Sequence, residues 1–515
     1  MLSIINSNNL IGIDSFLVKV ETDITRGIPS FNIVGLPGTE VREARERVRS
    51  AIINSGYDFP NSRIVVNLSP ADIKKEGSFL DLPISIGILR KFLNKTDSYL
   101  EECVFVGELS LDGHLRKVKG VLPLVIGAKK ENFKRIFIPH DNLKESNFIE
   151  GIEIIPVRTL QDCIDYINGK KIIEFNYEDL SEDISCDYAE DFKDVKGNYF
   201  AKRAAEISAA GNHNLIMVGS PGSGKTMIAK RIRSILPQLD KEEMIEISKI
   251  YSIAGLINNE CGIIKERPFR SPHHSTTMQS LVGGGFNSKP GEITLSHRGV
   301  LFLDEIAEFD RRILESLRQP MEDKYVNIAR VRHNVKYPCN MLVIAAMNPC
   351  PCGMYLSKTE CHCQSFDITR YRNRLSGPLL DRFDIFVEMT QVSFEKLNEK
   401  SQEETSKEIR SRVEKAREIQ KLRFKNELIN TNNEMTTSMI DKYCELDKDA
   451  KNILESIYNK HELSNRSYTR LIKVARTIAD LEGEENINSN HILEAYSFRK
   501  AYYTYFKSRL ELNHG

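Results

Sequence analysis

The stretch that decides the fold is NLIMVGSPGSGKTMIAKRIRSIL, residues 214–236. Its apolar start, Leu215 to Val218, predicts a buried strand, and its last part has the spacing of an amphipathic helix. The eight residues between match the loop that wraps phosphate: Gly219, Ser220, Pro221, Gly222, Ser223, Gly224, Lys225 and Thr226. In such a P-loop, backbone N–H groups and the helix N-terminus face the phosphate oxygens. Lys225 reaches the β- and γ-phosphates, and the Thr226 hydroxyl binds Mg²⁺. A chance glycine-rich turn would not have this strand, this helix and all eight positions, so a nucleoside triphosphate site is predicted.

Two further apolar strands end in polar residues that suit the same site. In RGVLFLDEIAEF, residues 298–309, the run Val300 to Leu303 is followed by Asp304 and Glu305. We expect Asp304 to hold Mg²⁺ with Thr226, and Glu305 to orient and deprotonate the attacking water. In NMLVIAAMNP, residues 340–349, Asn348 ends a third strand and can help to position that water. Alone, an Asp-Glu pair suits a surface loop and an Asn-Pro suits a turn. Their order after the P-loop favours catalysis.

The length of the chain predicts several domains. Its overall charge does not indicate any class of partner. The chain has 515 residues, and its 72 basic residues balance 72 acidic ones. Net charge therefore does not favour nucleic acid or a membrane, although basic residues can still concentrate on one face. The sequence starts without the features of a signal peptide, and it has no apolar run of the roughly 18 residues that span a bilayer. We expect a cytoplasmic protein with no membrane partner.

The pattern along the chain predicts four segments. Short apolar runs and turns indicate an α/β domain over residues 1–170, and an acidic, poorly hydrophobic linker follows over residues 171–194. Alternating strands and helices over residues 195–390 are typical of a parallel sheet. Helical spacing dominates residues 391–515. One helix of this last segment, within residues 406–424, is predicted to bury Ile409, Val413, Ala416 and Ile419.

Four of the ten cysteines follow Asn348 in the pattern Cys-x-Cys-x8-Cys-x-Cys. They are Cys350, Cys352, Cys361 and Cys363. Four thiolates can complete a tetrahedral zinc site, although these pairs lie closer together than the usual C-x2–4-C spacing. Unliganded loop cysteines and a redox pair are the alternatives, and Cys-x-Cys differs from the C-x-x-C redox motif. In no case do we expect the cysteines to perform hydrolysis, and our hypothesis is that they brace a loop near the active site or a subunit interface.

The order of these elements, together with several long motifs, resembles the magnesium-chelatase-like AAA+ ATPases of the ComM/YifB type. The motifs are RPFRSPHHSTTMQSLVGGG (267–285), KPGEITLSHRGVLFLDEIAEF (289–309), AAMNPCPCG (345–353), SGPLLDRFDI (376–385) and TRLIKVARTIADLEG (469–483). The resemblance covers nearly the whole chain. It implies a Lon-protease-like α/β N-terminal domain, a P-loop AAA+ parallel-sheet core and a C-terminal helical lid. It also implies ATP and Mg²⁺ as cofactors and assembly of the chain into a homohexameric ring.

The resemblance assigns further nucleotide contacts. Arg382 would be the arginine finger, which reaches the γ-phosphate on the adjacent subunit. The alternative is an ordinary salt bridge from Arg382 to Asp381 or Asp384. In FKDVKGN, residues 192–198, Asn198 stands near the adenine where the family leads us to expect Gln. The sensor-2 position of the lid is matched by Arg466, with Arg470 and Arg476 as alternatives.

The N-terminal domain departs from the Lon-type proteases that it resembles. Those enzymes use a Ser-Lys dyad, in which a base lies beside the nucleophile. Phe79 stands at the expected Ser position, next to Ser78, and Leu122 stands at the expected Lys position, near Lys119. Both departures argue against proteolysis and favour a binding or assembly module.

Two insertions in the core are candidates for contact with DNA. The first, LVGGGFNSKPGEI, residues 281–293, is glycine-rich, and the second, VNIARVRHNVKYP, residues 326–338, is predicted to be a hairpin. In the chelatase-like and replicative-helicase branch, such insertions point into the ring pore and grip DNA. Basic side chains neutralise phosphates without reading sequence. The candidates are Lys289, Arg330, Arg332 and Lys336. Solvated surface hairpins are the alternative. We assign the His273–His274 pair to the same segment between the P-loop and Asp304, and not to a metal site.

These features predict a ring-forming AAA+ ATPase that couples ATP hydrolysis to movement along single-stranded or branched DNA. By the resemblance, it would be a branch-migration helicase in recombination or natural transformation. Two alternatives do not act on DNA. One is a chelatase-type motor that helps to insert Mg²⁺ into a porphyrin. The other is an ATPase that remodels proteins.

Overall fold

The computed structural model describes residues 1–173, 177, 188–258, 262–285, 289–329, 334–357, 360–392 and 403–507. Two large sheets organise these residues, one in an N-terminal domain and one in a central core, and a helical region follows. The predicted class, mixed α/β with a parallel core sheet and a helical C-terminal region, is confirmed. No helix of the described chain combines the length and the apolar character that crossing a membrane requires.

The N-terminal domain is built on a seven-stranded sheet in the order β3-β4-β2-β1-β5-β8-β9. The strands are β1 Leu2–Ile11, β2 Asp14–Thr25, β3 Ser30–Val34, β4 Arg63–Ser69, β5 Cys103–Phe105, β6 Glu108–Leu109, β7 Leu115–Arg116, β8 Arg135–Pro139 and β9 Glu153–Val157. The helices are α1 Thr39–Asn54, α2 Asp81–Ile88, α3 Asp97–Glu101, α4 Val121–Lys130 and α5 Leu160–Ile167. The sheet is mixed, because β2 pairs antiparallel with both β1 and β4 and the remaining neighbours are parallel. A turn at Asp112-Gly113 joins β6 and β7.

The core has a five-stranded parallel sheet in the order β11-β14-β17-β10-β18. Its strands and hairpins are β10 Leu215–Gly219, β11 Phe269–Arg270, β12 Gly283–Gly284, β13 Lys289–Pro290, β14 Val300–Leu303, β15 Tyr325–Ala329, β16 Asn334–Pro338, β17 Leu342–Met347 and β18 Ile385–Met389. Its helices are α6 Tyr199–Gly211, α7 Lys225–Ile235, α8 Lys241–Ala254, α9 Met278–Val282, α10 Glu292–Leu295, α11 Arg311–Ser316, α12 Arg318–Asp323, α13 Ser365–Arg372 and α14 Gly377–Leu380. Because all five strands are parallel, their carboxyl ends meet at one edge, where open α/β sheets bind ligands.

The core begins earlier in the chain than the sequence predicts. Residues 174–176 and 178–187 of the predicted acidic linker lie outside the described residues. Phe192, which was assigned to that linker, is fully buried in the core. Asp191 caps a short 3-10 helix, Phe192–Asp194, and its side chain also accepts a hydrogen bond from the backbone of Ser406. Burial of one aromatic ring therefore ends the linker before residue 192.

The C-terminal helices pack against the core sheet and its helices α6 and α7. They are α15 Ser406–Arg423, α16 Thr437–Tyr443, α17 Lys448–His461, α18 Asn465–Glu482, α19 Ser489–Ser497 and α20 Lys500–Tyr502, and a π-helical turn follows at Tyr503–Lys507. On α15 the predicted residues Ile409, Val413 and Ala416 are buried, but Gln420 and not Ile419 completes the buried face. Gln420 is tolerated there because its amide donates to Ala210 O at 3.1 Å and accepts from Asn432 N at 3.1 Å.

Helix α8 belongs to the core by sequence and to the N-terminal domain by packing. Four apolar residues from α8 and its flanks join the N-terminal hydrophobic core: Leu239, Met244, Ile247 and Ile263. Ser252 donates to the buried carboxylate of Glu145 at 2.7 Å, and Gly120 N donates to Ser252 O at 3.0 Å. Burial raises the pKa of Glu145. The two domains thus share one continuous interior at this helix.

Candidate ATP site and cysteine cluster

The P-loop connects β10 to α7 at the carboxyl edge of the core sheet. Gly219 is required there, because a Cβ at this position would lie 2.4 Å from the carbonyl oxygen of Met389. Gly224 has φ of 92°, a left-handed conformation that favours glycine. The hydroxyl of Ser223 is buried and has no hydrogen-bond partner among the described residues. Since buried polar atoms are normally satisfied, this hydroxyl is suited to a ligand such as phosphate.

Lys225 lies at the centre of the site. Its Nζ donates to the carbonyl oxygens of Gly219 at 2.6 Å and Ser220 at 2.9 Å, and to Oδ1 of Asn348 at 3.3 Å. Burial lowers the pKa of Lys225 to about 8, and the carboxylates of Asp304 and Glu305 offset only part of that effect. A bound triphosphate would replace these neutral acceptors with phosphate oxygens and would favour the ammonium form.

Asp304 and Thr226 form the part of the site that fits Mg²⁺. Thr226 Oγ1 donates to Asp304 Oδ2 at 3.0 Å, so two oxygen ligands of the type that Mg²⁺ prefers already converge. The other carboxylate oxygen of Asp304 accepts from Glu305 N at 3.0 Å. Glu305 itself is exposed and has φ of 49°, an uncommon conformation for a residue other than glycine. Glu305 is thus an exposed carboxylate at the end of β14, one residue after Asp304.

Asn198 lies next to the P-loop and has φ of 50°. Its Nδ2 donates to the carbonyl oxygen of Ser223 at 3.2 Å, so it stabilises the loop itself. Gln391, which follows β18, donates to Pro221 O at 3.3 Å from the other side. Sequence reasoning missed Gln391, since nothing in its local pattern indicates a distant partner. Asn198 was expected near the adenine, and that contact stays a prediction.

Arg382 and Arg466 meet the same carboxylate. Arg382 is largely buried, and it donates to Arg318 O at 2.8 Å, to Pro378 O at 2.6 Å and to the carboxylate of Glu322. Arg466 is more than half exposed and lies 3.7 Å from the same Glu322 side chain. Of the salt bridges that we considered for Arg382, neither the one to Asp381 nor the one to Asp384 is present among the described residues. Both predicted arginines therefore lie beside Glu322.

The two other sensor-2 candidates are occupied within the fold. Arg470 donates to the buried carboxylate of Asp384 at 2.6 Å. Arg476 is fully buried and pairs with Asp480, with 3.0 Å between the guanidinium and the carboxylate. Exposure thus favours Arg466 over these two, and its role at a nucleotide stays a prediction.

The two candidate DNA hairpins pack against each other. A Cβ on Gly283 of β12 would lie 3.0 Å from Cδ1 of Ile328 in β15, so the backbone of one hairpin touches the side chain of the other. Lys289 is exposed on β13, and the ammonium of Lys336 on β16 lies 3.7 Å from the ring centroid of Tyr325. Arg330 and Arg332 lie outside the described residues. The predicted hairpin over residues 326–338 is confirmed by the antiparallel pairing of β15 and β16.

The four cysteines that follow β17 converge in space. Their four Sγ atoms all lie within 4.8 Å of one another, and in the described chain they are the only group of three or more His, Cys, Asp or Glu side chains close enough to hold a metal ion. The Sγ atoms of Cys350, Cys352 and Cys361 are 3.4 to 3.7 Å apart. The Met354 backbone N–H lowers the pKa of Cys352 to about 6, and burial raises the pKa of Cys350 to about 12. The rings of His273 and His274 contact each other at a tilt of 35°, with centroids 4.0 Å apart, and neither residue belongs to this cluster.

Known proteins match this sequence over nearly the whole chain. The family model described as magnesium chelatase, subunit ChlI, matches residues 191–397, the model described as subunit ChlI of Mg-chelatase matches residues 20–142, and the model of the ChlI C-terminal region matches residues 403–499. The competence protein ComM of Haemophilus influenzae is 42% identical, over 97% of this chain and 97% of its own length. The uncharacterized protein YifB of Escherichia coli is 41% identical over the same shares. The magnesium-chelatase 67 kDa subunit of Heliobacterium mobile is 25% identical over 44% of this chain and 37% of its own length.

The chain belongs to the magnesium-chelatase-like AAA+ family. The family that the sequence motifs predicted is therefore confirmed. Membership implies a nucleotide and Mg²⁺ as ligands and points to ATP hydrolysis. The residues gathered at the carboxyl edge of the sheet fit both ligands, because the P-loop has an unsatisfied hydroxyl and Thr226 and Asp304 converge.

The N-terminal domain of this magnesium-chelatase-like protein is matched by a chelatase-subunit model, and its likeness to Lon-type proteases stays a prediction. Phe79 and Leu122 are buried in the hydrophobic core. The Ser78 hydroxyl donates to the carboxylate of Glu108, and the Lys119 side chain lies against Gly255 in the core domain. Ser78 and Lys119 thus each have a partner outside the expected dyad, and the expectation that the domain is not a protease stays a prediction.

Proposed function

We propose that this protein is a ring-forming AAA+ ATPase that couples ATP hydrolysis to movement along DNA, as a branch-migration helicase in recombination or natural transformation. The observation that carries the proposal is the packing of the two hairpins, β12–β13 and β15–β16, against each other. Both hairpins are inserted around β14, whose end carries Asp304 and Glu305. A movement of Asp304 or Glu305 during hydrolysis can therefore be passed through β14 to the two hairpins, which carry Lys289 and Lys336.

Each residue at the edge of the sheet has a defined task in hydrolysis. Lys225 neutralises charge on the β- and γ-phosphates, and Thr226 with Asp304 holds the Mg²⁺ that bridges them. Glu305 takes the proton from the attacking water, since its carboxylate is exposed at the mouth of the site. Asn348, which is already tied to Lys225, orients that water. Proton transfer of this kind is worth about 10²–10⁴ in rate.

Assembly of the chain into a homohexamer would complete the site. Arg382 and Arg466 lie next to Glu322, and the proposed ring brings them to the P-loop of the neighbouring subunit. An arginine finger supplied in this way raises turnover by about 10³–10⁵. DNA, single-stranded or branched, is the proposed partner, and its phosphates would be contacted by Lys289 and Lys336 from the hairpins.

ATP turnover with different DNA structures tests the proposal. The purified protein is assayed alone and with single-stranded DNA, duplex and a four-way junction, and Lys225→Ala serves as the inactive control. Strong stimulation by one DNA structure, absent in the variant, is the expected result. Turnover that is indifferent to all three would count against a DNA motor, and turnover that persists in Lys225→Ala would contradict the site.

A second candidate is an ATPase that acts on another protein, either a chelatase-type motor or a remodeller. The observation that favours it is the match to the magnesium-chelatase 67 kDa subunit across 44% of this chain. Such a motor would hydrolyse ATP at the same P-loop without a response to DNA. Turnover with and without DNA separates the two candidates, because only the first predicts stimulation by nucleic acid.

A further inference from the structure

We propose that Cys350, Cys352, Cys361 and Cys363 hold a structural zinc ion that braces the γ-phosphate end of the ATP site, and that Arg372 is the positioning residue that balances the charge of this centre. The inference rests on the proposed ATPase function, since the part that the zinc would brace is the P-loop and Asn348. It goes further by assigning a task to the metal and a role to an arginine that no motif indicates.

The spacing of the sulfur atoms suits zinc. Tetrahedral coordination with Zn–S bonds of about 2.3 Å places the sulfurs about 3.8 Å apart. Three of the Sγ–Sγ distances are 3.4, 3.6 and 3.7 Å, and the fourth sulfur lies within 4.8 Å of the others. Tyr355 N donates to Cys350 Sγ at 3.3 Å, a contact of the kind that stabilises a metal-bound thiolate. The four side chains are therefore already arranged as a coordination sphere.

Arg372 supplies an independent observation at the same place. It is only 6% exposed, and one nitrogen of its guanidinium, Nη2, is buried without a hydrogen-bond partner. In the part of the chain that the structure describes, its partners are two carbonyl oxygens, Pro349 O at 3.0 Å and Tyr505 O at 3.3 Å, and the rings of Tyr355 and Tyr505. None of these is an anion, and a buried cation is costly without one.

A zinc tetrathiolate would provide that anion. Zn²⁺ with four thiolates carries a net charge of −2, and Arg372 lies beside Cys350, whose backbone neighbour Pro349 it already binds. The burial of an arginine without a carboxylate is thus explained if the adjacent sulfurs are deprotonated and hold a metal.

The cluster is joined to the ATP site at two points. Asn348, which accepts a hydrogen bond from Lys225, is separated from Cys350 by a single proline. Gly353 packs on the P-loop so closely that a Cβ there would lie 2.6 Å from Cδ of Pro221. Its φ of 80° requires glycine in any case. A metal that fixes Cys350 and Cys352 therefore fixes both the water-orienting Asn348 and one wall of the phosphate loop.

The experiment compares the wild-type protein with Cys352→Ser, which replaces the exposed cysteine of the four, and with Ser357→Ala, a matched control in the same loop. Zinc content, ATP turnover without DNA, and backbone hydrogen exchange of residues 219–226 are measured on all three. We expect about one zinc ion per chain in the wild type and the control. Cys352→Ser should lose the metal, exchange faster in the P-loop and hydrolyse ATP slower by on the order of a hundredfold.

Arg372 is tested with a conservative and a non-conservative change. Arg372→Met removes the charge and should weaken zinc binding by about tenfold to a hundredfold, measured by competition with a chelator of known affinity. Arg372→Lys retains the charge and should restore part of that loss. Equal zinc affinity in all three proteins would contradict the role of Arg372 as a charge partner.

The remaining outcomes also decide the inference. A wild-type protein without zinc, or with an intramolecular disulfide among the four cysteines, would overturn the metal site. Loss of zinc from Cys352→Ser with unchanged P-loop exchange and unchanged turnover would overturn the brace. A lack of stimulation by DNA would count against the proposed function alone, because zinc content, exchange and turnover are all measured without DNA.

Discussion

Arg382 forms an ion pair with Glu322 that links the segment after α14 to helix α12. The Glu322 side chain is 53% exposed, and Arg466 approaches it from the lid. The same carboxylate thus lies near both guanidiniums. In the proposed ring, the γ-phosphate of the neighbouring subunit would compete with Glu322 for the two arginines.

A mixing experiment tests whether Arg382 acts on a neighbour. We expect Lys225→Ala and Arg382→Ala each to lose ATP turnover, the second by about 10³–10⁵. A mixture of the two should recover measurable turnover, because some interfaces then combine an intact P-loop with an intact finger. Turnover is measured at constant total protein over a range of ratios, with Arg26→Ala in place of Arg382→Ala as a control for added active subunits. No recovery at any ratio, in preparations that co-assemble, would contradict a finger supplied by the adjacent subunit.

Glu305→Gln should separate binding from hydrolysis. The change removes the base but keeps the size of the side chain, so turnover should fall by about 10²–10⁴. Affinity for a fluorescent ATP analogue should stay close to that of the wild type, since the P-loop is untouched. Glu308→Gln, at an exposed carboxylate three residues further along, should change neither quantity much. An equal loss in both variants would remove the special role of Glu305.

Lys225 predicts a pH dependence of nucleotide binding. Its pKa is lowered to about 8 in the free protein, so the side chain is charged below that pH and neutral above it. ATP requires the ammonium form, and affinity should therefore fall as pH rises through about 8. Binding should take up about one proton per site at pH 9 and almost none at pH 7.

Proton uptake is measured by calorimetry in buffers of different ionisation enthalpy. Lys230→Met, at an exposed lysine on the same helix α7, should leave the uptake unchanged. If uptake at pH 9 were absent in the wild type, the lowered pKa of Lys225 would be wrong.

Lys336 and Lys289 should contribute to DNA affinity by neutralising phosphates. Replacing Lys336 with alanine should weaken binding of all sequences alike, because an interaction with phosphate does not read bases. The slope of log affinity against log salt should fall by about 0.7 on single strands for each phosphate that is no longer neutralised. Lys451→Ala, at an exposed lysine on α17, is the matched control. An unchanged slope in both lysine variants would place the DNA elsewhere.

Local patterns in the sequence predicted the elements of the ATP site with accurate positions. Val300 to Leu303 and the hairpin over residues 326–338 have local signals, either an apolar run or a turn between strands, and both occur as predicted. Because β14 and β17 lie in one parallel sheet with β10, their ends bring Asp304 and Asn348 to the P-loop. The sequence pattern alone is enough to predict this arrangement. Their chemical roles remain predictions until they are measured.

Contacts between residues that are distant in sequence were not predictable in the same way. The alternative to a finger role for Arg382 was a salt bridge to Asp381 or Asp384, yet the folded chain brings Glu322 from helix α12 to it. Gln420 replaces Ile419 on the buried face of α15, because carbonyl and amide partners from two other segments satisfy it. Arg372 carries no motif at all. In each case the deciding interaction is set by tertiary packing, on which a single sequence is silent.

Helix α8 has a further consequence for how this molecule can be divided. Ile247 and Met244 pack in the hydrophobic core of the N-terminal domain, although they belong to the ATPase core by their position in the chain. A fragment that ends near residue 173 would lack the α8 side chains that complete its hydrophobic core. It would therefore expose apolar side chains to water. A fragment that begins near residue 191 would expose the apolar side chains of the same helix to water. Neither part is therefore expected to be as stable alone as it is in the whole chain, because α8 completes an apolar interior that both parts share.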